Sequence, residues 1–175
     1  LPIQSGSDFI LKRMQRNYTT RYYKELVTHI THQFKDVFIG MDVICGFPGE
    51  TEEEFQKTFS FLSQIPWSEL HVFPYSPREG TSAAKWPDQI LRSTILKRAE
   101  RLRKLSDQRH KEFLRSFIGK PQFCLVEKEN EKIFKALSRN YLPILLMLDS
   151  EIDWVPLSNT EIKLLPMAIQ HHELM

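Results

Sequence analysis

The sequence contains only two cysteines in 175 residues, Cys45 and Cys124, and neither lies in a CxxC or CxxxCxxC motif. The chain therefore offers neither a disulfide framework nor a cysteine-rich metal site. Both cysteines stand in apolar stretches, so we expect two buried, reduced thiols, as is usual in a cytoplasmic protein. We predict no metal ligands in this chain.

Long apolar runs and phosphate-binding glycine loops are also missing. No run of 18 apolar residues occurs, so we expect no membrane-spanning helix. Neither GxGxxG nor a Walker lysine loop is present, which disfavours an ordinary nucleotide-binding α/β enzyme. The chain opens on LPIQ, which is typical of the end of a strand, so we expect a part of a longer protein.

A strand, a turn and a helix follow one another between residues 42 and 64. The apolar strand ends at Gly46, the turn passes through Pro48, and the helix begins after Thr51. Glu54 follows Thr51 by three positions, which predicts a capping box. The whole chain up to residue 118 alternates strands with helices, a pattern typical of a parallel sheet with helical crossovers.

Two further turns follow predicted strands, one at Gln4 and one at Tyr75. Because parallel strands place their carboxyl ends at one edge, we expect these turns to meet the turn at Gly46 and to hold a ligand there. Taken alone, the Gly46 turn is equally typical of a tight connection between a strand and a helix. The glutamates at 50 and 52–54 are typical of stabilisation at a helix amino terminus.

The segment from 91 to 118 is strongly basic and is predicted to form one long helix. It carries nine basic and three acidic side chains, a net charge of +6. Such an excess favours a polyanionic partner such as RNA, although a charged helix face is also typical of simple solvation.

The pattern of apolar and polar residues changes after residues 119–121. Five short alternating runs predict strands at 122–127, 133–138, 142–148, 154–157 and 161–167. Five short strands in such a small segment are typical of a β-barrel. The segment has six basic and eight acidic residues, so it is slightly acidic.

Several segments resemble a known family. LPIQSGS at 1–7, DVICGFPGET at 42–51 and FPYSPREGT at 73–81 are similar to the MiaB-like radical-SAM tRNA methylthiotransferases. HVFPYSPR at 71–78 is most similar to the MtaB branch, which methylthiolates N6-threonylcarbamoyladenosine beside the anticodon of tRNA. The resemblance therefore implies a transferase whose partner is tRNA.

The resemblance also implies the fold and the cofactors. Residues 1–118 would be the second half of a partial (β/α) TIM-like radical-SAM barrel plus a long basic helix, and 119–175 a TRAM-like RNA-binding β-barrel. The family binds S-adenosylmethionine and a [4Fe–4S] cluster held by CxxxCxxC. Since that motif is absent here, we expect the cluster ligands upstream and no activity from this chain alone.

The family pattern assigns residues to two kinds of contact, and it identifies no catalytic residue. Those expected to bind S-adenosylmethionine are Gln4, Ser5, Ile44, Gly46, Phe47, Tyr75 and Ser76. Those expected to bind RNA are Arg98, Arg101, Lys104, Lys120 and Arg139.

Two alternatives stay open. Relatives within the family act on isopentenyl-adenosine in tRNA or on a ribosomal protein. A different class of function is a non-catalytic RNA-binding module.

Overall fold

The computed structural model describes residues 1–128, 133–147, 159–170 and 173–174. The chain divides into two compact units, Leu1–Arg109 and His110–Met175. The functional boundary between residues 118 and 119 stays a prediction. None of the helices in the described ranges is long and apolar enough to cross a membrane.

The first unit contains helices and two parallel strands. In chain order its elements are α1 (Asp8–Arg13), α2 (Thr20–Gln33), β1 (Gly40–Cys45), α3 (Glu52–Gln64), β2 (Glu69–Pro74), a short 3-10 turn (Ala83–Lys85) and most of α4 (Arg92–Arg115). The alternation of strands and helices confirms the predicted α/β class.

The strands run parallel, as the helical crossover predicts. β1 pairs with β2 in a register that places Gly40 beside Glu69 and Cys45 beside Pro74. On the other side of β1, Gln4 forms a parallel bridge with Val43. β1 is therefore the middle of three neighbouring chain segments.

Burial alternates along β1. Met41, Val43 and Cys45 are buried and pack in a core with residues from all the long helices of this unit, whereas the residues between them are half-buried. On that second face Oδ1 of Asp42 lies 3.2 Å from Nδ1 of His71. One face of the sheet thus carries the core, and the other carries the polar pair Asp42 and His71 beside the apolar pair Ile44 and Phe73.

Hydroxyl side chains begin the helices. The Ser7 hydroxyl accepts from the N–H of Ile10 at the start of α1, and the Thr51 hydroxyl accepts from the N–H of Glu54 at 3.2 Å at the start of α3. The Glu54 carboxylate contacts the Ser7 hydroxyl and the Lys57 ammonium instead of returning to Thr51. Only half of the predicted capping box therefore forms, because α1 supplies a competing donor.

The described residues of the second unit form a six-stranded sheet. Its strands are β3 (Gln122–Lys128), β4 (Ile133–Ser138), β5 (Pro143–Met147), β6 (Thr160–Leu164), β7 (Ile169–Gln170) and β8 (Glu173–Leu174), in the spatial order β6-β3-β4-β5-β8-β7. All pairs are antiparallel except β5 with β8.

Four of the five predicted strands are confirmed in this unit, and the one predicted at 154–157 lies outside the described residues. The core contains Phe117, Cys124, Phe134 and Leu142, all nearly inaccessible to solvent. Closure of this sheet into a barrel stays a prediction.

Candidate functional site at the carboxyl edge of the parallel strands

Three turns meet at the carboxyl edge of the parallel strands. The N–H of Ile44 donates to the carbonyl of Gln4 at 2.9 Å, and the N–H of Tyr75 donates to the carbonyl of Cys45 at 2.8 Å. Gln4 and Tyr75 therefore flank β1 on opposite sides, and the Gly46 turn begins between them. The sequence-based expectation that these turns share one edge agrees with this geometry.

Gly46 occupies a position that requires glycine. Its φ is +79°, which L side chains rarely adopt, and an added Cβ would lie 2.4 Å from Cγ1 of Ile95 in α4. The Gly46 N–H donates to Oε2 of Glu50 at 2.7 Å. The side chain of Glu50, at the end of the turn, thus fixes the backbone of Gly46 at its start.

Glu50 is buried, and its partner comes from α4. Glu50 is 0% exposed. Nη1 of Arg98 lies 2.9 Å from Oε2 of Glu50 and 2.7 Å from the Glu50 carbonyl oxygen, and it donates to both. Burial raises the pKa of Glu50 to about 7, against the opposing effects of the Gly46 N–H and of Arg98. A buried ion pair therefore joins the turn to α4.

The structure places Arg98, which the family pattern assigns to RNA, in the interior of the first unit. Arg98 is 5% exposed, and Nη2 also lies 3.1 Å from Glu52. A guanidinium enclosed by two carboxylates is not available to a phosphate. In the sequence Arg98 is one member of a basic run, and the run does not show which of its members face the interior of the protein.

An aromatic cluster lies beside the turn. The Phe47 ring makes edge contacts with Tyr75, at a centroid distance of 5.3 Å, and with Trp86, at 5.7 Å. The hydroxyl oxygen of Tyr75 is out of contact with solvent and has no hydrogen-bond partner among the described residues. Desolvation raises the pKa of this phenol, so its proton is retained.

The Tyr75 hydroxyl, which has no partner among the described residues, bears on whether this edge suits a ligand. Buried polar groups are nearly always hydrogen-bonded, so one without a partner at a ligand edge indicates a missing acceptor or donor. The site also presents apolar and backbone atoms at Ile44, Gly46 and Phe47. This mixture suits a neutral planar base with a polar sugar, as in S-adenosylmethionine.

Arg13 and Asp88 clamp the second half of the turn. Arg13 donates through Nε to the carbonyl of Pro48 at 3.1 Å and through Nη2 to Oδ2 of Asp88 at 2.7 Å. The N–H of Gly49 donates to the carbonyl of Asp88 at 2.9 Å. Sequence reasoning missed this clamp, because residues so far apart along the chain carry no local signal of their contact.

The other predicted cofactor residues are placed differently from one another. Gln4 is half-buried with a φ of 68°, and Ser76 is exposed. Ser5 is completely buried, and its hydroxyl shares a 3.1 Å hydrogen bond with that of Thr58 in α3. The Ser5 hydroxyl thus joins its loop to α3, and a contact of this residue with the cofactor stays a prediction.

Three of the predicted RNA-binding residues are exposed but ion-paired. Arg101 is 43% exposed and lies 3.4 Å from Glu52, and Lys104 lies 2.7 Å from Glu100. In the second unit Arg139 pairs with Glu161 at 2.7 Å. Exposed pairs of this kind are weak, so each side chain can exchange its carboxylate for a phosphate.

Other basic side chains are exposed with no ion pair in the described part of the chain. Lys120 makes a cation–π contact, with its ammonium 5.6 Å from the centre of the Phe117 ring. The helix α4 contributes exposed side chains without a carboxylate partner within the described ranges at Arg92, Lys97, Arg103, Lys111 and Arg115. These residues are stronger candidates for phosphate contacts than sequence reasoning recognised.

The two thiols do not fit an iron–sulfur cluster. Cys45 is buried in the first unit and Cys124 in the second, and burial raises their pKa values to about 12 and about 11. Cluster ligands are thiolates that converge on one site. Within the described ranges no group of three or more His, Cys, Asp or Glu side chains could hold a metal ion.

Comparison with known proteins identifies similar sequences. Residues 1–62 match the model of the Radical SAM superfamily. Over 149 residues the chain is 40% identical to the threonylcarbamoyladenosine tRNA methylthiotransferase MtaB of Bacillus subtilis, which covers 82% of this chain and 33% of that protein. It is also 40% identical over 144 residues to the MtaB protein of Aquifex aeolicus, which covers 82% of this chain and 34% of that protein.

A relative named for another substrate is equally similar. The tRNA-2-methylthio-N(6)-dimethylallyladenosine synthase of Ehrlichia canis is 42% identical over 132 residues, which cover 75% of this chain and 30% of that protein. The chain thus spans about a third of the length of the curated relatives that it matches. The predicted resemblance of this chain to the radical-SAM tRNA methylthiotransferases is therefore confirmed.

Proposed function

We propose that this chain is the C-terminal part of a radical-SAM enzyme that methylthiolates N6-threonylcarbamoyladenosine next to the anticodon of tRNA. The carrying observation is the shared edge where the turns at Gln4, Gly46 and Tyr75 meet. The superfamily match covers the first two of these turns. The choice of nucleoside rests on the segment at 71–78 and on the MtaB relatives. The synthase relatives are equally similar and are named for a different nucleoside, so the nucleoside is the more specific part of the proposal.

In this proposal the shared edge binds S-adenosylmethionine. Ile44 and Phe47 contact the adenine, and the glycine at 46 lets the backbone approach it closely. The Tyr75 hydroxyl supplies a hydrogen bond, and Gln4 and Ser76 lie on either side. S-adenosylmethionine bound to a [4Fe–4S] cluster would supply the radical chemistry that removes a hydrogen atom from the target adenine. The cluster ligands belong to a part of the protein outside this chain.

The buried Glu50 and Arg98 orient this edge in the proposal. Glu50 fixes the Gly46 N–H, and α4 holds Glu50 through Arg98. The backbone of the turn is therefore set before a ligand arrives, which lowers the entropy lost on binding.

The remaining parts of the proposal concern architecture and partners. Residues 1–118 complete a TIM-like barrel with upstream strands, and 119–175 form a TRAM-like barrel that binds tRNA in the cytoplasm. Arg101, Lys104, Lys120 and Arg139 contribute phosphate contacts. Each neutralised phosphate would lower the exponent of the salt dependence of binding by about 0.7 to 0.9.

The direct test uses the intact protein that contains this chain. After anaerobic reconstitution of iron and sulfide, it is incubated with S-adenosylmethionine, a reductant and tRNA that carries threonylcarbamoyladenosine or isopentenyl-adenosine. Mass spectrometry of the digested nucleosides should show the methylthio group on threonylcarbamoyladenosine. Modification only of isopentenyl-adenosine or of a ribosomal protein would contradict the proposed substrate, and RNA binding without any modification would favour a non-catalytic module.

A further inference from the structure

The segment that joins β2 to α4 packs against the Gly46 turn. Residues 75–91 form this crossing segment, which lies in the first unit. The Trp86 ring meets the Phe47 ring with centroids 5.7 Å apart, and the N–H of Gly49 donates to the carbonyl of Asp88 at 2.9 Å. The family pattern assigns only the first two residues of the crossing segment to a ligand, so the remainder has no assigned role.

Hydrogen bonds hold both halves of the crossing segment in place. In the first half the N–H and the hydroxyl of Thr81 donate to the carbonyl of Arg78, at 3.1 and 2.8 Å. In the second half the side-chain amide of Gln89 donates to the carbonyls of Ala83 and Trp86, at 2.8 and 3.0 Å. Because the backbone is fixed before a partner arrives, less entropy is lost when the segment binds one.

Three basic side chains lie on the crossing segment or directly after it. They are Arg78, Lys85 and Arg92, all are exposed, and none makes an ion pair within the described ranges. Glu79 is an exposed carboxylate of the segment without an ion pair in the same ranges, whereas Asp88 is already paired. The segment and the first residue of α4 therefore present three uncompensated positive charges and one negative charge.

The position of Arg92 is unfavourable for its own helix. Arg92 is the first residue of α4, and the first turn of α4 contains no acidic residue, whereas the first turn of α3 contains the glutamates at 52–54. The amino terminus of a helix carries a partial positive charge, which attracts anions and repels cations. Arg92 therefore does not stabilise α4, and an external anion would give its charge a partner.

The spread of the three cations favours a polyanion over a small anion. Arg78 lies in a turn, Lys85 ends the 3-10 turn and Arg92 begins α4. A nucleic-acid strand offers a phosphate at every nucleotide, so cations on separate elements can each meet one. The fork of an arginine side chain also suits the oxygens of a phosphate.

We propose that Arg78, Lys85 and Arg92 bind phosphates of the RNA substrate, so that its backbone runs along the crossing segment next to the Gly46 turn. The proposal rests on the proposed function, since that function brings RNA to this edge of the sheet. It adds a set of phosphate contacts beside the cofactor edge to those proposed for Arg101 and Lys104.

The test measures RNA and cofactor binding separately in the intact protein that contains this chain. The variants are Arg78→Gln, Lys85→Gln and Arg92→Gln. Lys24→Gln and Lys35→Gln are the matched controls, because both lysines are exposed in the same unit and make no ion pair in the described part of the chain. Fluorescence anisotropy of a labelled tRNA anticodon stem-loop gives the RNA affinity at several salt concentrations, and calorimetric titration gives the affinity for S-adenosylmethionine.

We expect each of the three variants to reduce the salt slope by about 0.7 and to weaken RNA binding about fivefold at about 0.1 M salt, as loss of one phosphate contact to a single strand requires. The controls should match the wild type, and affinity for S-adenosylmethionine should stay within about twofold throughout.

Two further measurements use the sign of the charge. Glu79→Gln removes the negative charge of the segment, so it should strengthen RNA binding about twofold. Denaturant unfolding of Arg92→Gln should show a stability no lower than that of the wild type, because the replaced cation opposes the helix dipole. A weaker RNA affinity in a variant of undiminished stability separates a binding role from a structural one.

Three results would overturn the phosphate contacts. The first is an unchanged salt slope in all three variants, and the second is an equal reduction in the lysine controls, which would show an effect of net charge alone. The third is a loss of affinity for S-adenosylmethionine with RNA binding intact, which would assign these side chains to the cofactor. Any of these results in a wild type that still modifies tRNA removes only the phosphate contacts, whereas a wild type that neither binds nor modifies tRNA removes the proposed function as well.

Discussion

Glu50 and Arg98 form a buried ion pair, in which Nη1 of Arg98 lies 2.9 Å from Oε2 of Glu50. The Arg98 side chain is 6% exposed and the Glu50 side chain is 0% exposed. The same carboxylate oxygen accepts the Gly46 N–H. The turn and α4 are therefore connected through Oε2 of Glu50 and through the Glu50 carbonyl oxygen, and Arg98 donates to both. Loss of Arg98 would leave the Glu50 carboxyl in the interior without its cation, whereas loss of Glu50 would leave Arg98 paired with Glu52 alone.

We predict that Arg98→Met destabilises the protein by about 3–5 kcal/mol, because the buried Glu50 carboxyl loses its cation and the Glu50 carbonyl oxygen loses its donor. Arg101→Met is the matched control. Arg101 lies on the same helix and contacts Glu52, but it is 43% exposed, so its replacement should cost less than about 1 kcal/mol. Denaturant unfolding measures both. Equal losses in the two variants would show that the buried pair contributes no more than a surface pair.

The same pair predicts a pH dependence of stability. The pKa of Glu50 in the folded protein is about 7, against 4.5 for the unperturbed group. Since the folded state holds this proton more tightly, the stabilisation is complete below pH 4.5 and is lost as the pH rises to about 7. The slope cannot exceed about 1.4 kcal/mol per pH unit for one group.

Glu50→Gln isolates this contribution. The unfolding free energy of the wild type and of the variant is measured at pH 5 and pH 7. The variant should lack the part of the fall in stability between these pH values that Glu50 causes in the wild type. Glu52, Arg98 and Cys45 also interact electrostatically with Glu50 and remain in both proteins. A wild type and a variant with parallel pH profiles would contradict the assignment.

The turn at Gly46 was predictable from sequence because its signals are local. A glycine, a proline and a capping threonine within six positions are enough to mark a strand end and a helix start. The paired strands of the second unit were predictable for a similar reason, from alternation within each run.

The contacts that give the site its shape were not predictable in this way. Glu50 and Arg98 are 48 positions apart, and each has a simpler local interpretation, one as a helix-start acid and the other as part of a basic run. The family pattern assigns Ser5 to the cofactor, whereas its hydroxyl hydrogen-bonds to that of Thr58. Only the packing of helices against the sheet decides which side of a residue faces the ligand.

Gly46 and Gly80 provide a matched pair of glycines. Both have φ near +80°, but an added Cβ meets Ile95 at 2.4 Å at Gly46 and meets nothing within 4 Å at Gly80. We predict that Gly80→Ala costs about 1 kcal/mol from backbone strain alone. Gly46→Ala should cost a further 1–3 kcal/mol from overpacking.

Thermal or denaturant unfolding of the two variants gives this difference directly. The double variant Gly46→Ala with Ile95→Ala tests its origin, because removal of the Ile95 side chain relieves the clash. The combined loss should then be smaller than the sum of the single losses. Strict additivity would show that the close approach of α4 is not what requires glycine at this position.

Tyr75→Phe separates ligand binding from stability. The Tyr75 hydroxyl oxygen is buried and has no partner among the described residues, so its removal should leave stability unchanged or raise it slightly. If this hydroxyl bonds to S-adenosylmethionine, the same change should weaken binding about threefold to tenfold, the usual value of one hydrogen bond. Tyr22→Phe, in which an exposed hydroxyl is removed from α2, should alter neither property. Calorimetric titration of the intact protein measures the affinity, and undiminished affinity in Tyr75→Phe would leave the buried hydroxyl without a role at the site.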